Sequence, residues 1–195
     1  MSTKRELMLA STSSARRALM TALGIGFRAE APGVDEDVPR GMSVEAAVAM
    51  LAERKARAVL ARHPDALVIG SDQLVSLDGV ALGKPADAAA ARQQLVSLRG
   101  RTHDIFTSVC VVSAEFFALE VDVARLTVWP LRDDEVDGYV ATGEWEGCAG
   151  GYRVEARGQA LFSSIEGDRA AIQGLPMQRV VRLLRAAGVE LFQQP

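Results

Sequence analysis

The stretch "ALVIGSDQLVSLDGVALGKP", residues 66–85, decides the fold class of this chain. It predicts a buried strand, a polar break at Ser71 to Gln73, a second strand and a Gly-Lys-Pro turn. Asp72 follows the apolar segment at the end where α/β proteins bind ligands, although capping a turn is the commoner use of an aspartate there. Lys84 is ambiguous alone, because "ALGKP" lacks the GxxxxGK[ST] spacing of a phosphate-binding loop.

Strands and helices alternate on both sides of this stretch. Strands are predicted at 6–10, 27–31, 104–117, 119–129 and 159–166, with the two long runs forming an antiparallel pair. Helices are predicted at 14–24, 43–63, 86–98, 131–142 and 176–187, with a loop at 32–42 and a glycine-rich segment at 143–158. No repeat or linker divides the chain, so we expect a single α/β domain, residues 1–195, with a mixed sheet.

Composition and charge exclude several classes of protein. Hydrophobic residues form 49% of the 195-residue chain, which is enough for a sizeable core, and the net charge is only -3. The basic residues are dispersed, so we expect neither a nucleic-acid polymer nor a membrane as partner. No signal peptide or spanning segment is apparent, and the expected location is the cytoplasm. Cys110 and Cys148 lack metal-ligand spacing and are expected to be buried and unpaired.

The long helix predicted from Ser43 places a lysine where an apolar residue is expected. At about 100° per residue, Lys55 falls in the same sector, roughly 80° wide, as Leu51 and Val59. Arg54 and Arg57 fall outside this sector and need no role beyond solvation. Lys55 either extends past the core to reach water or presents its ammonium group to a cleft.

The stretch "LASTSSARRALM", residues 9–20, joins the first strand to the first helix. Arg16 lies within about 60° of the side of this helix that Leu19 and Leu23 define as buried, whereas Arg17 points away. A cation in the first turn is unfavourable at the positive end of the helix dipole unless an anion is bound. Backbone N–H groups, serine hydroxyls and a guanidinium at one helix N-terminus together predict a phosphate site.

These charged residues together specify more than each does alone. Arg16, Lys55 and Lys84 supply cations for an anionic ligand. Asp72 and Glu36, which lies in the acidic loop "VDED", could hold a divalent metal through oxygen ligands, although most acidic clusters are simply solvated. This combination is typical of an enzyme that acts on nucleotide phosphates.

The order of the motifs resembles the Maf family of nucleoside triphosphate pyrophosphatases. The motifs are "LASTSSARR", "VDE", "ERKA", "GSDQ", "GKP", "GRTHDIFTSV", "GEWEGCAGGY", "IEGD" and "GLP". The resemblance implies an elongated α/β fold of the inosine triphosphatase type, with two lobes flanking a nucleotide cleft. It also implies a homodimer, and hydrolysis of a nucleoside triphosphate to the monophosphate and pyrophosphate with Mg²⁺ or Mn²⁺.

The resemblance also implies roles for individual residues. Asp72 corresponds to the catalytic carboxylate that accepts a proton from the attacking water. The family's phosphate- and metal-handling positions correspond to Ser13, Arg16, Glu36, Lys55 and Lys84. Whether Asp72 removes the proton or mainly holds the metal stays open at this point.

Three positions distinguish the substrate branches of this family: Ala15, Gln73 and Glu155. Gln73, Glu155 and the cysteine of "CAG" are similar to the branch that hydrolyses 7-methyl-GTP, whereas the dTTP- and UTP-cleaving branch typically has Thr after the catalytic Asp. A carboxylate such as Glu155 can accept both N–H donors of the guanine edge. Methylation at N7 makes the base cationic, which adds attraction. Ala15 fits neither branch.

The sequence therefore predicts a 7-methyl-GTP pyrophosphatase that removes modified nucleotides. A dTTP/UTP pyrophosphatase of the same family is the alternative, since "GEW" and "AGGY" are close to that branch. A third possibility, a nucleotide-binding regulator of septum formation, comes from the family's link to septation; retention of Asp72, Lys55 and Lys84 argues against it.

Overall fold

The computed structural model describes residues 5–192. Its strands are Leu7–Ala10 (β1), Arg28–Glu30 (β2), Leu67–Leu77 (β3), Val80–Leu82 (β4), Thr102–Val112 (β5), Phe117–Val128 (β6) and Phe162–Glu166 (β7). Its α-helices are Ser14–Ala22 (α1), Val44–Leu60 (α2), Ala88–Leu98 (α3), Asp133–Val140 (α4), Arg169–Ile172 (α5) and Met177–Ala186 (α6). Two short 3₁₀ segments span Ala149–Gly151 and Arg157–Leu161.

The predicted mixed sheet is confirmed. The strand order is β2-β1-β3-β5-β6-β7, with β4 paired to β3. β1 pairs in parallel with β2 and with β3, whereas β3 with β4 and β6 with β7 are antiparallel. The two long predicted runs are neighbours in the sheet as β5 and β6.

Three details of the element prediction are wrong. The polar break at Ser71 to Gln73 does not exist, because β3 continues through these residues. Their polar groups are bonded inside the protein, so a strand can carry them without loss of pairing. The last predicted strand, 159–166, begins only at Phe162, because the preceding residues form a 3₁₀ turn, and the short helix α5 was not predicted.

The chain divides into two compact units. The first contains the described residues up to Gln73, then Thr107–Asp122, and the described residues from Arg169 onward; the second contains Leu74–Phe106 and Val123–Asp168. The predicted arrangement of two lobes around a nucleotide cleft stays a prediction.

In the first unit, successive residues of the strands pack on opposite faces of the sheet. Leu7 and Leu9 of β1 pack with residues of α1 and α6 such as Met20 and Leu184. Met8 and Ala10 point to the other face, where they pack in a cluster with residues of α2. Burial of both faces explains why these strands are continuous apolar runs. Within residues 5–192 we find no helix with the length and apolar character needed to cross a membrane.

In the second unit, α3 packs against α4 and against the 3₁₀ segment Ala149–Gly151. A buried aromatic cluster lies close to that segment. Tyr152 meets Phe162 edge to face, with ring centroids 4.9 Å apart, and the Tyr152 Oη and His103 Nε2 atoms are 2.6 Å apart. Burial lowers the pKa of His103 to about 4, so this imidazole is neutral at pH 7.

Gly70 allows α2 to lie directly against β3. A Cβ atom at this position would be 2.3 Å from the Ala52 carbonyl oxygen and 2.7 Å from the Ala56 Cβ. No real side chain tolerates such distances, so the helix backbone can approach the strand only where the side chain is a hydrogen atom. The contact brings the middle of α2, including Lys55, next to the part of β3 that contains Asp72.

We expect Gly70→Ala to lower the free energy of unfolding by about 1–3 kcal/mol or more, because the added methyl group forces α2 away from β3. Urea denaturation measures the loss. Gly26→Ala is the matched control, since a Cβ there would meet nothing within 4 Å and its φ is not positive. A similar loss in both variants would contradict the close approach at Gly70.

Candidate active site

A buried lysine at the centre of α2 holds two carboxylates. The Lys55 side chain is 7% exposed, and its Nζ donates to Asp72 Oδ1 and contacts Glu36 Oε1 at 2.6 Å. The Asp72 side chain is 9% exposed and that of Glu36 is 60% exposed. The predicted place of Lys55 on the apolar stripe is therefore confirmed. Its ammonium does not reach past the core to water, because it ends on a buried carboxylate.

Asp72 lies inside β3, not after its end as the sequence predicted. Burial raises the pKa of its carboxyl group, which the nearby positive charges of Lys55 and Arg16 oppose and the negative charge of Glu36 reinforces. Asp72 is thus a carboxylate that is held in a poorly solvated place by two cations. This is the environment in which a carboxylate can work as a base closer to neutral pH than an exposed aspartate.

The N-terminus of α1 is built as predicted. Ser13 is its N-cap, and the Ser13 Oγ accepts a hydrogen bond of 3.3 Å from the Arg16 backbone N–H. The Arg16 Nε donates to the Gly174 carbonyl oxygen at 2.8 Å. Burial lowers the pKa of Arg16, while the charges of Asp72 and Glu36 raise it. Arg17 is exposed, as expected.

The residues on both sides of Asp72 are fixed to one backbone segment. The Ser71 Oγ donates to the Gly174 carbonyl oxygen at 2.8 Å. The Gln73 Nε2 donates to the carbonyl oxygens of Ala171 and Ile172 at 2.8 and 2.9 Å, and it also lies 3.1 Å from Thr107 Oγ1. A carbonyl oxygen can only accept a hydrogen bond, so the Gln73 side chain must turn its N–H donors toward α5. Its Oε1 therefore faces the other way.

This backbone segment, residues 171–174, was missed by the sequence reasoning. It includes the end of α5, a helix of only four residues, and it contributes carbonyl groups, which every residue has. The motif "GLP" marked its end, but no local pattern could indicate that its carbonyls bind residues about a hundred positions earlier.

The two carboxylates fit a divalent metal by their chemistry. Asp72 and Glu36 offer only oxygen ligands and both approach the Lys55 Nζ, so they converge on one small region. Within the described part of the chain, no group of three or more His, Cys, Asp or Glu residues could hold a metal alone. Mg²⁺ needs no such cage, because it is commonly bound by one or two carboxylates together with water and substrate phosphates.

The remaining predicted residues of the site lie in different places. Ala15 is half-buried on α1, in the first unit. Lys84 and Glu155 belong to the second unit, where both are exposed. The Gly83 carbonyl, which precedes Lys84, accepts hydrogen bonds from the Gln94 Nε2 at 3.0 Å and the Gly150 N–H at 3.4 Å. The Glu155 Oε1 is 3.9 Å from the Arg153 Nε.

The two cysteines are both free thiols, but only one is fully buried. Burial raises the pKa of Cys110 to about 12, so it is an inert part of the core. Cys148 is only half-buried, against expectation, and its Sγ lies 3.6 Å from the carbonyl oxygens of Glu144 and Glu146 in the glycine-rich segment.

A mixed α/β fold with a buried lysine–carboxylate pair, beside a helix N-terminus that carries Arg16, has a chemistry suited to an anionic ligand. The Maf-like protein family model matches residues 6–187. Because that match spans most of the chain, the protein belongs to the Maf family. Its curated relatives in that family are named as pyrophosphatases, which supports a nucleotide pyrophosphatase.

Curated relatives carry two different substrate names. A dTTP/UTP pyrophosphatase from Symbiobacterium thermophilum is 42% identical over 190 residues, covering 96% of this chain and 97% of the relative. Another from Moorella thermoacetica is 43% identical over 189 residues, covering 96% and 97%. A 7-methyl-GTP pyrophosphatase from Xanthomonas campestris pv. campestris is 42% identical over 187 residues, covering 95% and 97%.

A crystal structure of a protein from Vibrio cholerae shares the fold. It aligns with a TM-score of 0.50 at 15% identity and covers 95% of this chain and 96% of that protein.

We expect the stability of Asp72→Asn, relative to the unsubstituted protein, to increase as the pH rises above the ordinary carboxyl range. Burial raises the pKa of Asp72, so the folded state keeps this proton to higher pH than the unfolded state. The stability that this group contributes is therefore fully present at low pH and is lost as the pH rises through the folded pKa. The side-chain amide of the Asp72→Asn variant cannot ionise, so the variant does not lose stability in this way.

Urea denaturation at several pH values, with chelator present, measures the trend. Asp65→Asn, at an exposed position, is the matched control for the substitution itself. A relative stability of Asp72→Asn that falls with rising pH would contradict the effect of burial.

Proposed function

We propose that the protein hydrolyses a nucleoside triphosphate to the monophosphate and pyrophosphate, with 7-methyl-GTP as preferred substrate. The observation that carries the reaction is the cluster of Lys55, Asp72 and Glu36 beside Arg16. It combines a buried carboxylate base with two cations that can offset phosphate charge.

Arg16, Ser13 and the N-terminus of α1 would bind phosphate oxygens. The Ser13 oxygen accepts the capping hydrogen bond, which leaves its O–H free to donate to an anion. The Arg16 Nε is bound to Gly174, so the two terminal nitrogens of the guanidinium can face a ligand. Backbone N–H groups at the first turn complete an anion-binding arrangement. Lys84 would add a further cation, a role that rests on the family resemblance.

Asp72 would act as the base. Its Oδ1 is bonded to Lys55, so Oδ2 is the oxygen that can take a proton from water. The water oxygen then bonds to the α-phosphorus, the bond from that phosphorus to the bridging oxygen breaks, and pyrophosphate leaves with the electron pair. The positive charge of Lys55 favours the ionised form of Asp72, against the effect of burial. A Mg²⁺ or Mn²⁺ ion, for which Glu36 and Asp72 are the proposed ligands, would supply charge to stabilise the phosphates.

Two residues that the family resemblance links to selection of the nucleobase, Glu155 and Gln73, each offer a hydrogen-bond acceptor. Glu155 is a carboxylate with 41% of its side chain exposed, so it is available to a ligand. The Gln73 Nε2 already binds the carbonyls of α5, which leaves Gln73 only an acceptor to offer. Acceptors suit the guanine edge, whose N1 and N2 atoms carry hydrogens, better than they suit uracil or thymine.

A dTTP/UTP pyrophosphatase is the second candidate. The Arg153 Nε at 3.9 Å from Glu155 Oε1 favours it, because an arginine supplies donors for pyrimidine carbonyls and opposes a cationic base. The relatives from Symbiobacterium and Moorella, which carry that substrate name, are as similar as the one from Xanthomonas. The homodimer, the cytoplasmic location and any role in septum formation stay predictions.

Pyrophosphate release from 7-methyl-GTP, GTP, UTP and dTTP, measured with Mg²⁺ or Mn²⁺, tests the activity. We expect 7-methyl-GTP to give the highest kcat/KM, and Asp72→Asn to lower kcat for every substrate by about 10²–10⁴-fold. Preference for UTP and dTTP would select the second candidate. Near-normal turnover by a folded Asp72→Asn variant would remove Asp72 from its role as the base.

For base selection, we expect Glu155→Gln to reduce kcat/KM for 7-methyl-GTP by about tenfold or more, corresponding to about 1–3 kcal/mol of lost discrimination, and to change the UTP reaction little. The substitution keeps the shape and removes the charge and one acceptor. Glu146→Gln, at an exposed position in the same unit, is the control. An equal loss for all substrates would show that Glu155 does not read the base.

A further inference from the structure

The loop that carries Glu36 has little structure of its own. Residues 31–39 form no regular element, and Asp35, Glu36 and Asp37 are all exposed. An exposed glutamate on such a loop has many accessible positions, and restricting each residue costs about 1–2 kcal/mol of conformational entropy. Glu36 can stay beside Lys55 only if other contacts hold the loop backbone.

Arg54 supplies contacts of this kind. Its Nη1 donates to the Asp35 carbonyl oxygen at 2.8 Å and to the Asp37 carbonyl oxygen at 3.3 Å. These two residues flank Glu36, and the Asp37 N–H donates to the Asp35 Oδ1 at 2.9 Å, which closes a tight turn. Both carbonyls of the turn are therefore directed at one guanidinium nitrogen.

Arg54 and Lys55 are consecutive on α2 and hold the same loop in different ways. Arg54 binds the backbone on either side of Glu36, and Lys55 binds the Glu36 carboxylate at 2.6 Å. The Arg54 guanidinium is itself steadied by a contact of 3.6 Å from its Nη2 to the Met50 Sδ, one turn earlier on the helix. The sequence reasoning was wrong to assign Arg54 no role beyond solvation.

We propose that Arg54 is a positioning residue for the reaction, which fixes Glu36 beside Lys55 and Asp72 by binding the carbonyls of Asp35 and Asp37. This inference rests on the proposed function, because it assumes that Glu36 takes part in catalysis. Arginine suits the task because its planar guanidinium presents several N–H donors in a fixed geometry, whereas lysine offers a single mobile ammonium group.

A double-mutant cycle tests the inference. Arg54→Gln, Glu36→Gln, the double variant and Arg54→Lys are compared by pyrophosphate release, together with Arg57→Gln. Arg57 lies on the same helix, is exposed and pairs with Glu53, so it is the matched control. Thermal unfolding confirms that each variant is folded.

If Arg54 acts through Glu36, Arg54→Gln lowers kcat/KM by about ten- to a hundredfold, as expected for a displaced catalytic group. The double variant is then no worse than Glu36→Gln alone, and Arg54→Lys recovers part of the activity. Hydrogen exchange of the amides at 34–38 is faster in Arg54→Gln than in Arg57→Gln.

Three results would overturn the inference. Unchanged kcat/KM in Arg54→Gln, with Glu36→Gln impaired, would reject the role of Arg54 and leave the proposed function intact. Losses that multiply in the double variant would show that Arg54 acts independently of Glu36. Normal activity in Glu36→Gln would remove Glu36 from the site and the inference with it, while the Asp72→Asn result would still decide the proposed function separately.

Discussion

The buried ion pair between Lys55 and Asp72 is the interaction on which the rest of the site depends. Two charges removed from water are stable only if their geometry is fixed, because the penalty for desolvation is several kcal/mol per ion. The close approach of α2 to β3 at Gly70 provides that geometry, since no side chain separates helix and strand there. Packing of the fold thus determines where the charges meet, and burial raises the pKa of Asp72 against the opposing effect of Lys55 and Arg16.

Backbone carbonyls at 171–174 hold the residues on both sides of Asp72, and they also hold Arg16. Ser71 and Gln73 hold β3 to this segment on both sides of Asp72, and Arg16 binds the same Gly174 carbonyl that Ser71 binds. A displacement of the segment would therefore move Asp72 and Arg16 together. Such shared supports keep catalytic groups in place before a substrate arrives, which lowers the cost of reorganisation during the reaction.

Helical periodicity predicted the positions of Lys55 and Arg16, because a charge on an apolar stripe conflicts with a pattern that extends over several turns. The pattern is misleading at Ser71 to Gln73, because polar residues in an apolar run indicate a break although β3 continues through them. Their partners are carbonyls near position 171, and nothing in the local sequence indicates that the polar groups are satisfied. Arg54 was misjudged for the same reason, since its partners lie on a separate loop.

Gln73 shows why a sequence indicates a phosphate site more clearly than a nucleobase site. Phosphate binding depends on charge and on a helix N-terminus, which leave clear patterns in a sequence, whereas a base is distinguished by one or two hydrogen bonds. Gln73 was predicted to select the base, yet its N–H donors bind α5. A threonine at this position has one hydroxyl in place of two N–H donors. A change between Gln and Thr here would therefore alter how the residue next to Asp72 is held, as well as what it offers a base.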